Sequence, residues 1–159
     1  MINNDVLRSL RYMLNFNDQQ VVEVIQLIKA DYRIDAAKVQ ALTKKQGDPG
    51  FVDCSTDVLA HFLDGLVVFR RGRDDSRPQR AVEKQLSNNT ILKKLRIAFD
   101  LKDQDMHEIF DAADHPVTKP ELGALFRDAH NKHFRPCGDP MMRHFLRGLS
   151  MRLRPEATV

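Results

Sequence analysis

One sequence pattern occurs twice in this chain, and it limits the folds that the chain can adopt. Phe-x-x-Cys, followed by His-Phe-Leu-x-Gly-Leu, occupies residues 51–66 and again residues 134–149. Gly65 and Gly148, like every other shared residue of the stretch, are 83 positions apart. Self-similarity at a constant offset is the sequence signature of a repeated structural unit. We therefore interpret the chain as one unit that is present twice.

Apolar residues spaced three and four positions apart predict four helices in each repeat. Polar residues that favour helix N-caps precede these runs, and in the second repeat Thr118 and Glu121 form the pattern of a capping box. The predicted caps, in corresponding pairs, are Asn3-Asn4 and Asn88-Asn89, Asp18 and Asp103, Asp35 and Thr118, and Asp57 and Asp139.

The fourth helix of each repeat carries the residues that we predict as the repeat core. A glycine inside a helix costs about 1 kcal/mol relative to alanine, so a matched pair of glycines predicts that another backbone approaches closely. The crossing is expected between the two fourth helices, or between each of them and a neighbouring helix. The predicted core residues are Phe62, Leu63, Gly65, Phe145, Leu146 and Gly148.

These patterns predict an all-α protein of two tandem four-helix repeats, packed through their fourth helices as a pseudo-twofold helical bundle. The first repeat is assigned to residues 1–72 and the second to residues 88–154. Residues 73–87 are charged and rich in turn formers, which is typical of a linker. Residues 155–159 are predicted to be a frayed tail.

The repeated motifs also carry a resemblance. Asn-Asn-x-x-Leu-x-x-Leu-Arg, Phe-x-x-Cys and Phe-Leu-x-Gly-Leu, each present in both copies, resemble the YehS-like family of small bacterial proteins, a duplicated domain of unknown function. The resemblance covers the chain from Asn3 to Gly148. It implies a bacterial cytoplasmic protein with a duplicated domain, and it brings no assigned activity, substrate or catalytic residue.

Composition excludes several classes of protein. Charged residues make up 30% of the chain, and no run approaches the roughly 18 apolar residues of a membrane span, so we expect no membrane partner. The amino terminus has neither the basic flank nor the apolar stretch of a signal peptide. The two cysteines, one in each repeat, are therefore expected as reduced thiols in a cytoplasmic protein.

Cysteine and histidine are the residues closest to a chemical site. Cys54 precedes His61, and Cys137 precedes His144, by the same seven positions. Four such ligands could in principle hold zinc, but the spacing is unlike that of zinc knuckles. Buried structural cysteines are the favoured interpretation. We expect no metal, no cofactor and no catalytic residue, and a Cys/His-dependent enzyme or metal site ranks third among the functions considered.

Charge in the second repeat is unevenly distributed. Residues 100–128 contain three basic and eight acidic residues, whereas residues 132–154 contain six basic residues and one acidic residue. A basic strip of this kind could bind nucleic acid, or it could be a solvated helix face. The candidate strip comprises Arg143, Arg147, Arg152, Arg154, Lys93, Lys94 and Arg96.

A non-catalytic helical module that binds another protein is the favoured function, because a duplicated helical unit without clustered acids, bases or nucleophiles provides surface rather than chemistry. Nucleic-acid binding is the alternative, either through the basic strip or through a degenerate helix-turn-helix that begins its second helix at Thr118. The partner's identity, the oligomeric state and any small ligand remain open at this point.

Overall fold

The computed structural model of the protein describes residues 1–158, and within them it contains eight α-helices and no β-strand. A 3-10 helix, Pro155–Thr158, occupies most of the segment predicted as a frayed tail, and Val159 lies outside the described residues. No helix within residues 1–158 is long and apolar enough to cross a membrane. The helices are α1 Asn3–Met13, α2 Asp18–Gln26, α3 Ala36–Leu42, α4 Thr56–Arg71, α5 Asn88–Ala98, α6 Asp103–Ala112, α7 Lys119–Leu125 and α8 Asp139–Leu153.

The helices form two compact units, Met1–Leu86 with α1–α4 and Ser87–Val159 with α5–α8. The all-α class and the four-helix content of each repeat are confirmed. The pseudo-twofold packing of the repeats stays a prediction.

The predicted linker makes contacts within the first unit. Arg73 Nη2 donates to the Leu27 carbonyl at 2.5 Å, and Gln79 Nε2 donates to the Ile28 carbonyl at 3.0 Å. These carbonyls follow the end of α2, where a helix leaves its last acceptors unpaired. The segment is therefore attached to the first repeat at Arg73 and Gln79.

Each matched glycine marks a helix crossing inside its own repeat. A Cβ atom on Gly65 would overlap the Val24 carbonyl oxygen of α2, and one on Gly148 would overlap the Ile109 carbonyl oxygen of α6. Of the two crossings that the sequence allows, the structure has the one between each fourth helix and a neighbour.

The repeat core surrounds these crossings. Phe62 and Phe145 are both 0% exposed, and the Phe145 ring lies 5.6 Å from that of Phe110. Burial of a side chain of this size contributes roughly 1.5–3 kcal/mol. Leu63, Gly65, Leu146 and Gly148 are buried as well, so every residue of the predicted core lies inside the protein.

The prediction that the asparagine pairs cap the first helices is wrong. The N-caps are Ile2 and Ser87, and the asparagines lie within the first turns of α1 and α5. Asn4 Nδ2 donates to the carbonyls of Leu42 and Val52, at 2.9 and 2.8 Å, and Asn4 Oδ1 accepts from the Cys54 N–H at 3.0 Å. We call this arrangement the asparagine bridge, and it joins the end of α3 to the Phe-x-x-Cys turn.

The second repeat contains the same asparagine bridge. Asn89 Nδ2 donates to the carbonyls of Leu125 and Arg135, both at 2.9 Å, and Asn89 Oδ1 accepts from the Cys137 N–H at 2.8 Å. The side chain of Asn88 also donates to the Cys137 carbonyl at 3.0 Å. Buried backbone polar groups require partners, and this requirement links the Asn-Asn motif to the cysteine motif.

Two of the other predicted caps are confirmed. Asp35 accepts from the Lys38 N–H at 2.8 Å, and Thr118 and Glu121 form the reciprocal capping box. The remaining predictions are wrong by one or two positions, because an acidic residue inside the first turn satisfies the same helix polarity as a cap. The actual caps are Asn17, Ser55, Lys102 and Gly138.

Candidate functional site

The first repeat contains a small aromatic cleft where α2 meets the last turn of α4. It has a volume of about 220 Å³ and is lined by Phe16, Gln20, Glu23, Val24, Leu27 and Phe69. The Phe16 and Phe69 rings meet edge to face, with centroids 5.5 Å apart and planes at 85°. Phe69 nevertheless remains 54% exposed, so the cleft presents an unfilled aromatic surface to solvent.

The equivalent corner of the second repeat has a different chemistry. Phe69 lies one helical turn beyond Gly65, and the residue one turn beyond Gly148 is Arg152. Arg152 Nη2 lies 2.5 Å from Asp105 Oδ1, and its Nη1 lies 3.1 Å from Glu108 Oε2 on α6. We call this group the arginine clamp, and it occupies the corner that the first repeat leaves open.

The arginine clamp also explains the uneven charge of the second repeat. The acidic helix α6 packs against the basic helix α8, so part of each charge is neutralised by the other. A backbone hydrogen bond from Lys102, together with the guanidinium of Arg152, lowers the pKa of Asp105. The carboxylate is therefore held in its charged form.

Intramolecular ion pairs involve Arg96, Arg152 and Arg154 of the candidate basic strip. Arg152 belongs to the arginine clamp, and Arg154 Nε lies 3.7 Å from Glu156 Oε1. Arg96 pairs with Asp103 at 2.5 Å, and its guanidinium lies 4.8 Å from the centroid of the Phe126 ring. The pair of Arg96 and Asp103 connects α5 to α6, so Arg96 stabilises the fold of the second repeat.

An equivalent pair is present in the first repeat, where Arg11 Nε lies 2.9 Å from Asp18 Oδ1 between α1 and α2. Other members of the strip are more accessible. Arg143 and Arg147 lie one turn apart on the exposed face of α8, and Lys93 is exposed on α5. These three side chains make no ion pair within residues 1–158, whereas Lys94 is half-buried and has a partner.

The helix-turn-helix alternative has little geometric support. Helices α6 and α7 are joined by six residues, 113–118, whereas the DNA-binding motif has a turn of three to four residues. Helix α7 contains only seven residues, and Leu122 and Leu125 on it are buried. A reading helix needs an exposed face and a longer span across the major groove.

The cysteines are placed as buried structural residues. Cys54 and Cys137 are 6% and 5% exposed. Burial raises the pKa of the Cys54 thiol to about 12 and that of the Cys137 thiol to about 11. Because the thiolate is the nucleophile, neither sulfur is activated at neutral pH.

The histidines of the repeated motif lie in aromatic pairs. His61 Nδ1 lies 2.7 Å from the Asp57 carbonyl oxygen and therefore carries a proton, while the ring packs 4.5 Å from that of Tyr32. The Tyr32 hydroxyl donates to Asp57 Oδ2 at 2.6 Å, and burial together with this bond raises the pKa of Tyr32.

In the second repeat, His144 stacks on His115, at a centroid distance of 4.4 Å and an interplanar angle of 9°. His115 occupies the position that corresponds to Tyr32. Within residues 1–158, no group of three or more His, Cys, Asp or Glu side chains is arranged to hold a metal ion.

A second cavity lies in the second repeat, between the first turns of α5 and the segment that follows α7. Its volume is about 370 Å³. The polar lining includes the cations of Lys93 and Arg127, the hydroxyls of Ser87 and Thr90, and the carboxylate of Asp128. We call it the second-repeat pocket.

Sequence reasoning missed both the aromatic cleft and the second-repeat pocket. A signal for the cleft was available, because Phe69 and Arg152 occupy equivalent positions shortly after the shared His-Phe-Leu-x-Gly-Leu motif. A bulky aromatic residue at a position where the other copy carries a charge indicates a divergent surface. For the pocket, the corresponding signal is the change from Asp5 and Arg8 to Thr90 and Lys93.

Comparison with known proteins gives one family and one curated relative. The family described as "Protein of unknown function (DUF1456)" matches residues 3–72 and 88–154. An uncharacterized protein of Escherichia coli (strain K12), YehS, is 40% identical over 152 residues, which cover 96% of each chain. No solved structure matches. The alignment with YehS therefore spans both repeats of this chain.

Proposed function

The chain belongs to the family described as protein of unknown function (DUF1456), and we propose that it is a non-catalytic helical module that binds another protein through the aromatic cleft. The observation that carries this proposal is the exposure of Phe69 at a corner that the second repeat closes with the arginine clamp. Exposed aromatic side chains beside a cavity are typical of sites that receive an anchor residue from a partner.

The size of the cleft favours an anchor side chain over a free small molecule. Its volume of about 220 Å³ lies below the roughly 300–1,000 Å³ of typical small-molecule pockets. The walls combine two phenylalanine rings with the aliphatic side chains of Val24 and Leu27. A single aromatic or branched aliphatic side chain matches this surface in size and polarity.

Charged residues beside the cleft indicate which charge the partner should carry next to its anchor residue. Residues 70–80, which follow Phe69, contain five arginines and two aspartates. Arg73 donates to the carbonyl of Leu27, a residue that lines the cleft, so this basic segment lies at its rim. Glu23 is the one acidic residue of the lining. We expect the partner to present an apolar anchor flanked by acidic residues, because complementary charges orient an interface.

The test is a selection from a phage-displayed library of short random peptides, using the purified full chain as bait. The critical variant combines Phe69→Arg with Gln20→Asp. It reproduces the arginine clamp in the first repeat, because Gln20 corresponds to Asp105 and Glu23 already corresponds to Glu108. This variant fills the cleft with the same side chains that the second repeat carries at the equivalent corner, so the fold should accommodate them.

The matched control is Ile97→Arg, which replaces an exposed apolar side chain of the second repeat with a cation. We expect the wild-type chain and the control to enrich peptides with an apolar anchor beside acidic residues, and the critical variant to bind none of them. Absence of enrichment, or equal binding by the critical variant, would exclude the cleft as a protein-binding site.

Nucleic-acid binding is the second candidate, and it is supported by the exposed pair Arg143 and Arg147 on α8. Few cations remain for phosphate contacts, since Arg96, Arg152 and Arg154 are paired with acids. Binding to a labelled oligonucleotide that weakens steeply with salt, and that is lost in Arg143→Gln/Arg147→Gln, would favour this function. Peptide binding that changes little with salt would favour the first.

A further inference from the structure

The second-repeat pocket has a different composition from the aromatic cleft, and the corresponding corner of the first repeat is closed. There, Arg8 Nη1 donates to the Lys44 carbonyl at 3.2 Å, and Arg8 Nη2 donates to Asp5 Oδ1 at 2.7 Å. The corner is thus filled by a cation and an anion from the first helix. Its charges are satisfied within the repeat.

Two substitutions between the repeats open this corner in the second copy. Thr90 stands where the first repeat has Asp5, and Lys93 stands where it has Arg8. The carboxylate that paired with the cation is therefore replaced by a hydroxyl. Arg127, which corresponds to Lys44, adds a second cation to the same lining. Both cations are exposed, and neither makes an ion pair within residues 1–158.

The remaining polar groups of the pocket fit an anion. Ser87 Oγ accepts from the Thr90 N–H at 3.1 Å and lies 3.0 Å from Thr90 Oγ1, so one hydroxyl hydrogen of this pair is available to a ligand. Asp128 is the one acidic residue of the lining, and its Oδ1 accepts from the His130 N–H at 2.8 Å. Two cations against one acid that already has a hydrogen-bond donor leave the pocket positively charged.

From these observations we propose that the second-repeat pocket binds the phosphate group of a small phosphorylated molecule, with Lys93 and Arg127 as the charged ligands. A guanidinium binds two phosphate oxygens at once, and an ammonium group binds as a point charge. The volume of about 370 Å³ lies within the range of small-molecule sites. Phe126 and Phe134 provide an apolar wall for the remainder of the molecule. The site is independent of the aromatic cleft.

The test is a titration of the ¹⁵N-labelled full chain, followed by amide chemical shifts, with three probes. Inorganic phosphate measures the anion alone, adenosine monophosphate adds a ring, and a single-stranded oligonucleotide tests the phosphodiester backbone as the alternative source of the phosphate. We expect phosphate and the mononucleotide to shift the amides of residues 87–93 and 126–128, with the mononucleotide binding more tightly than phosphate.

Two variants make the test specific, together with a control that has the same net charge as the first of them. Lys93→Gln/Arg127→Gln removes both cations and should weaken mononucleotide binding about tenfold or more, as expected for the loss of charge-assisted hydrogen bonds. Thr90→Asp/Lys93→Arg reproduces the closed corner of the first repeat and should have the same effect. Lys119→Gln/Arg147→Gln removes two exposed cations that do not line the pocket, and binding should be unchanged.

Three results would overturn the proposal. The first is the absence of shifts in residues 87–93 and 126–128 with phosphate and the mononucleotide. The second is equal weakening in the pocket variant and in the control, which would indicate a nonspecific effect of net charge. The third is tighter binding of the oligonucleotide than of the mononucleotide with loss in the control, which would assign phosphate binding to the exposed face of α8.

Discussion

The two repeats share a helix crossing and an asparagine bridge, and they differ at their surfaces. Helix α4 crosses α2 at Gly65 as α8 crosses α6 at Gly148, and an asparagine bridge holds the cysteine turn in each repeat. At the corner beside the crossing, however, the first repeat has an aromatic cleft and the second has the arginine clamp. The comparison indicates that the close helix crossing and the asparagine bridge are retained in both copies, whereas solvent-facing positions are able to diverge.

The two repeats differ in opposite ways at two corners of the fold. The first repeat is open at the aromatic cleft and closed at the corner of Arg8, whereas the second is closed at the arginine clamp and open at the second-repeat pocket. At each of these two corners, therefore, the side chains of one repeat fill a space that the other repeat leaves accessible. Our two proposals therefore assign ligands of different chemistry to the two repeats.

The largest expected effect tests the shared packing. Gly65→Ala and Gly148→Ala each place a Cβ atom against a backbone carbonyl oxygen, which cannot move without shifting a helix. We expect each to lower the free energy of unfolding by about 3 kcal/mol or more. Urea denaturation measures the effect.

Gly123→Ala is the control, since a Cβ atom there meets no atom within 4 Å. A gain in stability of up to about 1 kcal/mol is expected for this substitution. A mild effect at only one crossing would break the equivalence of the repeats.

Removal of an asparagine bridge should lower the stability by less than the glycine substitutions do, and by different amounts in the two repeats. Asn4→Ala and Asn89→Ala each remove three hydrogen bonds and leave a cysteine N–H without its acceptor. Asn4 is buried, whereas Asn89 is half-buried, so water can replace the lost partners more easily at Asn89. We expect a loss of about 3 kcal/mol for Asn4 and about 2 kcal/mol for Asn89, measured by thermal and urea unfolding. A larger loss for Asn89 would contradict this account.

The two cysteine thiols should differ in their effect on stability at alkaline pH and in their rate of alkylation. Burial raises the folded pKa of Cys54 to about 12 and that of Cys137 to about 11, above the ordinary value of 9.0. Above pH 9 the unfolded chain therefore binds fewer protons than the folded chain. The contribution of the thiols to stability is complete below pH 9 and declines as the pH rises above it. We expect Cys54→Ala to reduce this decline by about 1 kcal/mol at pH 10. In native alkylation with iodoacetamide, Cys137 should react before Cys54, and rapid reaction of Cys54 at neutral pH would contradict its burial.

The arginine clamp should have the smallest effect on stability. Arg152→Gln removes ion pairs that are partly exposed, and such pairs contribute little and are screened by salt. Because the pKa of Asp105 is lowered in the folded state, its contribution is present above pH 3.8 and is lost as the pH falls further. We expect a small decrease in melting temperature at low salt that disappears at high salt. A decrease that persists at high salt would indicate that Arg152 acts by packing.

Part of the fold and of the surface could be predicted from the sequence. Helical spacing is a local signal, and the constant offset comes from comparing one copy of the repeat with the other. Together they are sufficient to predict the eight helices and the burial of Phe62 and Phe145. The basic strip was only partly predictable. Residue spacing places Arg143 and Arg147 on one helix face, but it does not show that Arg152 lies opposite Asp105, which is 47 residues away in the chain.

The amino-acid sequence by itself determined the duplicated all-helical architecture, because apolar periodicity, capping residues and helix-interior glycines act over a few neighbouring positions. Only the tertiary structure decided that Asn4 joins α1 to a turn 50 residues later, and that Phe69 remains exposed where Arg152 is paired. Hydrogen bonds and ion pairs between distant segments depend on where the folded backbone brings their atoms. A one-dimensional pattern does not contain those distances.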